Sequence, residues 1–169
     1  MGANKQQADR ALVVREGERR GVWFLDNYVE VLATGDDTEG RYALIEVHGA
    51  HGDQPPLHSH HDADEAFFVL EGELEVWAGP THATLRPGDY VLLPKQVPHC
   101  YLVTSRAPAR WLMMVTPAGF EQFMLGVSRP ADEARIPDPS PPPTPEQLER
   151  FIAAGVDIGE YHGPPGARP

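Results

Sequence analysis

Short apolar segments alternate with polar and turn-forming residues from about residue 11 to residue 116. Gly21 to Leu25 is aromatic and β-branched, and Tyr28 to Leu32 places polar and apolar residues in alternation. That two-residue period is the mark of a strand with one buried face. Further strands are predicted at Tyr42–His48, Leu57–His60, Glu65–Leu70, Glu73–Trp77, His82–Arg86, Asp89–Leu93, His99–Thr104 and Trp111–Thr116. Ala11–Val14 reads as an edge strand. The run from Gly35 to Gly40 reads as a turn, and Glu71-Gly72, Gly79-Pro80, Pro87-Gly88 and Pro94 punctuate the rest. Many short strands with regular turns predict an all-β fold, a sandwich or a closed barrel.

The pattern changes after Pro117. Phe120, Phe123 and Met124 recur at helical spacing, which predicts a short amphipathic helix over Gly119–Val127. Residues 129–143 form a proline-rich, extended linker. Thr144-Pro145-Glu146-Gln147 then carries an N-cap threonine, a proline at the first helical position and a glutamine three residues after the cap. A helix is predicted from there to about Ala154, ended by Gly155. The tail from Gly163 reads as loose. This gives a polar N-terminal tail (1–10), a barrel with a lid helix (11–128), the linker (129–143) and a C-terminal helix with its tail (144–169).

Composition narrows the function classes. The 169 residues hold 14 Lys and Arg against 25 Asp and Glu, a formal charge of −11. Such a surface repels nucleic-acid phosphates and anionic membranes. No apolar run approaches the roughly 20 residues that span a bilayer. The first ten residues lack the apolar stretch of a secretory signal, and Gln6 breaks the myristoylation pattern that Gly2 invites. One cysteine, Cys100, excludes an internal disulfide and fits a reducing cytoplasm.

The chemistry concentrates in two places: Gly52-x5-His58-x-His60-x4-Glu65-x6-Gly72, and Gly88-x5-Pro94-x4-His99. Side chains at i and i+2 of a strand share a face, so His58 and His60 point the same way. Residues 61–64 can reverse the chain and bring Glu65 to the same point. His99 joins only if the sheet wraps round. Three imidazoles and a carboxylate suit a divalent transition ion: Ni, Co, Fe, Mn, Cu or Zn. Isolated in a barrel interior, the same groups would be costly to bury.

These two segments resemble the paired motifs of the cupin superfamily. The first matches at every motif position. The second matches at Gly88, Pro94 and His99, and departs at Gln96 and Val103, where the family has glycine and asparagine. The Gln96 departure suggests a differently shaped turn, and Val103 makes the pocket more apolar. The resemblance implies a single cupin barrel, a double-stranded β-helix or jelly roll, with short C-terminal helices. It implies one metal ion held by His58, His60, Glu65 and His99. Over residues 20–126 the chain is similar to single-domain bacterial cupins of the quercetin 2,3-dioxygenase-like group. That similarity implies a small aromatic substrate, O2 as co-substrate, and Glu65 as a base that takes the substrate's proton.

Phe67, Tyr101 and Val103 alternate with the ligand positions and are candidates to line the pocket. Val69 on the same face reads as core. Phe120, Phe123 and Met124 are candidates for a greasy lid. Cys100 alternates away as a buried, inert thiol. His61 reads as surface or rim, and His48, His51, His82 and His162 read as solvated. Three functions remain open: a flavonol-cleaving dioxygenase, a non-oxidative cyclase, isomerase or lyase, and a non-catalytic binding module. A homodimer is expected, with contacts over Ala11–Leu25.

Overall fold

A computed structural model describes residues 11–141 and 144–169. The expectation for residues 1–10 lies outside the described residues. The strands are β1 (Arg20–Phe24), β2 (Asn27–Ala33), β3 (Ala43–Gly49), β4 (Leu57–His60), β5 (Asp64–Glu71), β6 (Leu74–Ala78), β7 (Thr81–Leu85), β8 (Tyr90–Leu93), β9 (His99–Val103), β10 (Ala109–Thr116), β11 (Arg129–Pro130) and β12 (Gly159–Gly163). The helices are α1 (Gly35–Thr38), α2 (Phe120–Val127) and α3 (Pro145–Gly155).

The strands form two antiparallel sheets facing one another, a cupin-like jelly roll. The larger has the order β11-β1-β2-β3-β10-β5-β8, and the smaller β12-β4-β9-β6-β7. Alternation sets which residues meet between them. In β10, Ala109, Trp111, Met113 and Val115 are buried, while Arg110, Leu112, Met114 and Thr116 are half-exposed. Both faces of this strand are apolar in sequence, so only the sheet decides the parity. Phe67, Val69, Leu74, Val76, Val103, Trp111 and Val115 fill the space between the sheets.

Gly72 is a place where no other residue fits. Its φ is +78°, and a Cβ there would lie 2.6 Å from the Ala109 Cα. The corner between β5 and β6 therefore closes directly onto the start of β10.

Several expectations are corrected. Ala11–Val14 forms no strand, because β11 and β2 already take both sides of β1. The Gly35–Gly40 turn contains one helical turn, α1, in which Asp37 closes a capping box with Thr34. The proline-rich segment lies against the larger sheet. Its first residues form β11, the Trp23 indole donates to the Arg135 carbonyl at 2.8 Å, and Arg129 stacks on the Trp23 ring. Residues 142 and 143 lie outside the described residues.

The C-terminal region also differs from a helix with a free tail. The Thr144 capping box forms, and the helix runs to Gly155. Gly159–Gly163 then adds β12 to β4, the strand that carries His58 and His60. This strand is short and glycine-flanked, with no apolar alternation, so periodicity gives no signal for it. Beyond it, the Arg168 guanidinium sits 3.8 Å from the centre of the Trp77 ring.

Candidate metal centre

Three strands deliver the four candidate ligands. β4 contributes His58 and His60, the start of β5 contributes Glu65, and the start of β9 contributes His99. Register brings them together: His58 pairs across the sheet with His99, and their ring centroids are 4.5 Å apart. One nitrogen or oxygen from each of the four side chains lies within 4.8 Å of the others. His60, Glu65 and His99 are buried, with exposures of 2–3%.

Hydrogen bonds fix the rings. His58 Nδ1 lies 2.8 Å from the Pro56 carbonyl, and His99 Nδ1 lies 2.9 Å from the Val97 carbonyl. A carbonyl only accepts, so each Nδ1 carries the proton and each Nε2 is left with its lone pair. The His60 Nε2 is buried without a hydrogen-bond partner. His99 Nε2 faces a Glu65 carboxylate oxygen at 3.1 Å, and His60 Nε2 is 3.6 Å from the same oxygen. A lone pair and a carboxylate at this distance repel unless a proton or a cation lies between them.

Electrostatics point the same way. Burial and the neighbouring His99 push the His58 pKa down to about 4, so this ring is neutral at ordinary pH. Burial alone would raise the Glu65 pKa, but the neighbouring His60 and His99 rings outweigh it and hold the carboxyl below the usual range. The result is a cluster of nitrogen and oxygen donors with no lysine or arginine in it, and it can hold a metal ion.

The remaining candidates are spread out. Phe67 and Tyr101 lie in the next layer, with Trp111 against both: ring centroids are 5.8 Å apart for Phe67–Tyr101 and 5.1 Å for Tyr101–Trp111. Val103 and Val69 are buried deeper still, both at 0% exposure. Phe120 stands over the cluster, 5.5 Å from the His60 ring. Phe123 turns away to pack on Phe24 and Phe151, and Met124 is buried beneath the helix. Glu121 fixes α2 in place, accepting from the backbone N–H groups of Gly35 and Gly119. A small opening of about 110 Å³ beside His60 and Phe120 is bordered by Asp62, Ala63, Asp157 and Ile158.

Gln96 adopts φ +63°, the left-handed region that glycine takes without strain. The turn before His99 thus has a glycine-type conformation despite the substitution, held by Gln96 N–H donating to the His60 carbonyl at 2.7 Å.

Two groups escaped the sequence reading. Asp53 sits in the loop after β3 and accepts a hydrogen bond from the Tyr101 hydroxyl at 2.9 Å. Nothing in a Gly- and Pro-rich loop marks such a residue as an inward partner. His48, expected to be solvated, is half-buried beside Glu30 and Glu46 on the outer face of the larger sheet. Those acids pair with it only through a register that the sequence does not display. Cys100 is buried, as its parity predicts.

With the geometry in place, comparison with known proteins shows what the chain is similar to. The cupin domain family matches residues 45–115. The chain carries a cupin domain. Among curated proteins, this cupin is similar to quercetin 2,3-dioxygenase of Bacillus subtilis (strain 168), 29% identical over 146 residues. The match covers 85% of this chain and 42% of that protein, so the chain spans less than half of its relative's length. Among solved structures, an RmlC-like cupin from Shewanella frigidimarina superposes with a TM-score of 0.55 at 17% identity, covering 66% of this chain and 96% of that one. KdgF from Halomonas sp. gives 0.52 at 18% identity, covering 57% and 85%. These structural likenesses speak to the fold alone. No described helix is long and apolar enough to cross a membrane.

Proposed function

We propose that this cupin is a metal-dependent dioxygenase of the quercetin 2,3-dioxygenase type, acting on a flavonol or a similar enolisable aromatic molecule with O2. The observation that carries the reading is the pairing of a carboxylate with unprotonated imidazole nitrogens in a buried pocket, without any cationic side chain. The similarity to the Bacillus subtilis dioxygenase supports the reaction class.

In this reading His58, His60, Glu65 and His99 hold one divalent ion. When bound, that ion supplies a Lewis acid with an exchangeable position for the substrate oxygen. The protein residues do the rest. The Pro56 and Val97 carbonyls keep the His58 and His99 rings oriented. Glu65 is held ionised, the form that accepts a proton from the substrate hydroxyl. Phe120 and the apolar interior exclude water from the site. A homodimer belongs to the same proposal, supported by the exposed Leu12 and Val13, and light scattering at micromolar concentration tests it.

Elemental analysis of the purified protein, followed by O2 uptake with 3-hydroxyflavone, tests the function. One metal per chain and flavonol-dependent O2 consumption are expected. Metal-loaded protein that turns over an enolisable substrate equally fast without O2 would instead make it an isomerase, cyclase or lyase.

A further inference from the structure

The two sheets are not joined all the way round. β7 ends the smaller sheet and β8 ends the larger one, and no ladder connects them. Between them opens a groove of about 290 Å³. Its wall includes Val76, Ala78, Ala83, Val91, Pro94 and Val97. None of its nine lining residues is charged, and Thr81 provides the one hydroxyl.

Register ties this groove to the candidate metal centre. Ala78 lies directly opposite His99 in the β6–β9 ladder, and Leu93, which precedes Pro94, lies opposite Glu65 in the β5–β8 ladder. Residues paired in this way share a face of the sheet. One groove residue, Ala78, is therefore the direct lateral neighbour of a ligand position, and Pro94 adjoins the residue opposite a second.

Size separates the groove from the opening beside His60. That opening is about 110 Å³, below the roughly 150 Å³ that holds one benzene ring. The groove, at about 290 Å³, is close to the roughly 300 Å³ at which small-molecule pockets begin. Charge separates possible ligands. An anion moved into the groove would lose its hydration and find no partner. The other opening is bordered by Asp62 and Asp157, and neither opening has a lysine or arginine in its lining.

We propose that the β7–β8 groove receives the body of an uncharged, ring-bearing substrate, placing its enol or phenol oxygen at the His/Glu cluster. The proposal rests on the metal-centre reading above. It assigns substrate entry to the open seam of the barrel, and it disfavours substrates whose anionic group would lie within the groove.

Full-length metal-loaded protein is titrated with 3-hydroxyflavone and with a sulfonated flavonol of similar size, with metal content measured on every sample. Ala83→Trp fills the groove from a half-exposed position. It is expected to raise the Kd for 3-hydroxyflavone at least ~10-fold with metal content unchanged, and the sulfonate is expected to bind at least ~10-fold more weakly than the neutral probe. Ala63→Trp narrows the other opening and is expected to leave Kd within about threefold. Thr81→Trp, on an exposed edge position, replaces Ala83→Trp if that variant does not fold. Unchanged binding in the groove variant, loss of binding in Ala63→Trp, equal affinity for the sulfonate, or no binding to the loaded protein would each overturn the groove. A chain that takes up no metal sinks the metal centre instead, and probe binding to that chain still reads the groove.

Discussion

Two clusters of histidine and glutamate lie on opposite faces of the barrel wall, and both bring ligand-type atoms within 4.8 Å of one another. Inside are His58, His60, Glu65 and His99. Outside, on the larger sheet, are Glu30, Glu46 and His48. The residue types are nearly the same, but their counter-charges differ. Arg19 lies 2.9 Å from Glu30 and 3.1 Å from Glu46, and Arg110 lies 2.9 Å from Glu46. Two guanidiniums thus lie against these two carboxylates, and Arg110 also pairs with the exposed Glu71 at 2.8 Å. Burial lowers the His48 pKa, so that ring adds no charge. The inner cluster has no such partner. A carboxylate compensated by fixed arginines has little to gain from a metal ion, whereas an uncompensated one beside imidazole lone pairs has much. Proximity of ligand atoms alone does not separate the two.

The largest expected effects test this contrast directly. Glu65→Gln or His99→Ala should weaken divalent-metal binding at least ~100-fold, about 3 kcal/mol. Glu46→Gln should leave it within about twofold. Isothermal titration with the apo protein measures both, and metal loss in Glu46→Gln with retention in Glu65→Gln would invert the assignment. If Glu65 accepts the substrate proton, Glu65→Gln also loses roughly 10²–10⁴ in turnover.

Acidity probes the inner cluster a second way. A ring whose pKa is pushed down to about 4 stays neutral, and able to bind metal, well below the usual imidazole range. In the metal-free protein the His58 ring is therefore expected to stay neutral from pH 8 to pH 5 and to take up its proton only as pH drops through about 4, read by NMR titration of that ring. For folding, the sign is that of a buried neutral histidine. The unfolded chain takes up the proton first, so the His58 contribution is complete above its ordinary pKa and declines as pH falls toward 4. Protonation of His58 near pH 6.5 in that titration would mean that the ring is not shielded as its burial implies.

The outer cluster should respond to arginine removal. Arg110→Met leaves Glu46, at 4% side-chain exposure, with one guanidinium fewer. Breaking a fully buried pair costs about 3–5 kcal/mol, but Arg110 is partly solvated, which cuts the expected loss to about 1–2 kcal/mol in urea denaturation. Removing Arg19 as well sharpens the comparison. The double variant should acquire a second, weaker divalent site, read as a metal stoichiometry rising toward two. No second ion in that variant would show that compensation by arginine is not what distinguishes the clusters.

The inner cluster was legible in the sequence because strand periodicity is local. His-x-His fixes a shared face without knowledge of the fold, and Glu65 and His99 each open a short apolar run rich in aromatic and aliphatic residues. Most strands were legible for the same reason. Pairing was not. β12 has no alternation of its own and is a strand only because β4 offers it a free edge. The outer cluster was missed because Glu30, Glu46 and His48 meet through the β2–β3 register, which nothing local encodes. The β7–β8 groove is likewise set by where two sheets end, a property of topology.

Asp53 shows how such a hidden partner can be tested. Burial pushes its carboxyl up to about 6, with hydrogen bonds from Tyr101 and Asn27 offsetting part of that rise. Burial also keeps the Tyr101 hydroxyl well above its usual pKa, so it remains a donor. A raised folded-state pKa means that Asp53 contributes most favourably below about 3.8 and becomes a liability as pH rises through 6. Asp53→Asn keeps an oxygen to accept from Tyr101 and removes the buried charge. Its stability relative to the parent should therefore improve with pH, by about 1 kcal/mol between pH 5 and pH 8 in urea denaturation. Asp53→Ala, which removes the acceptor as well, should lose stability at both pH values, because the buried Tyr101 hydroxyl would then be left unpaired. Equal pH dependence in the parent and Asp53→Asn would mean that the loop opens to water and that Tyr101 is not held from below.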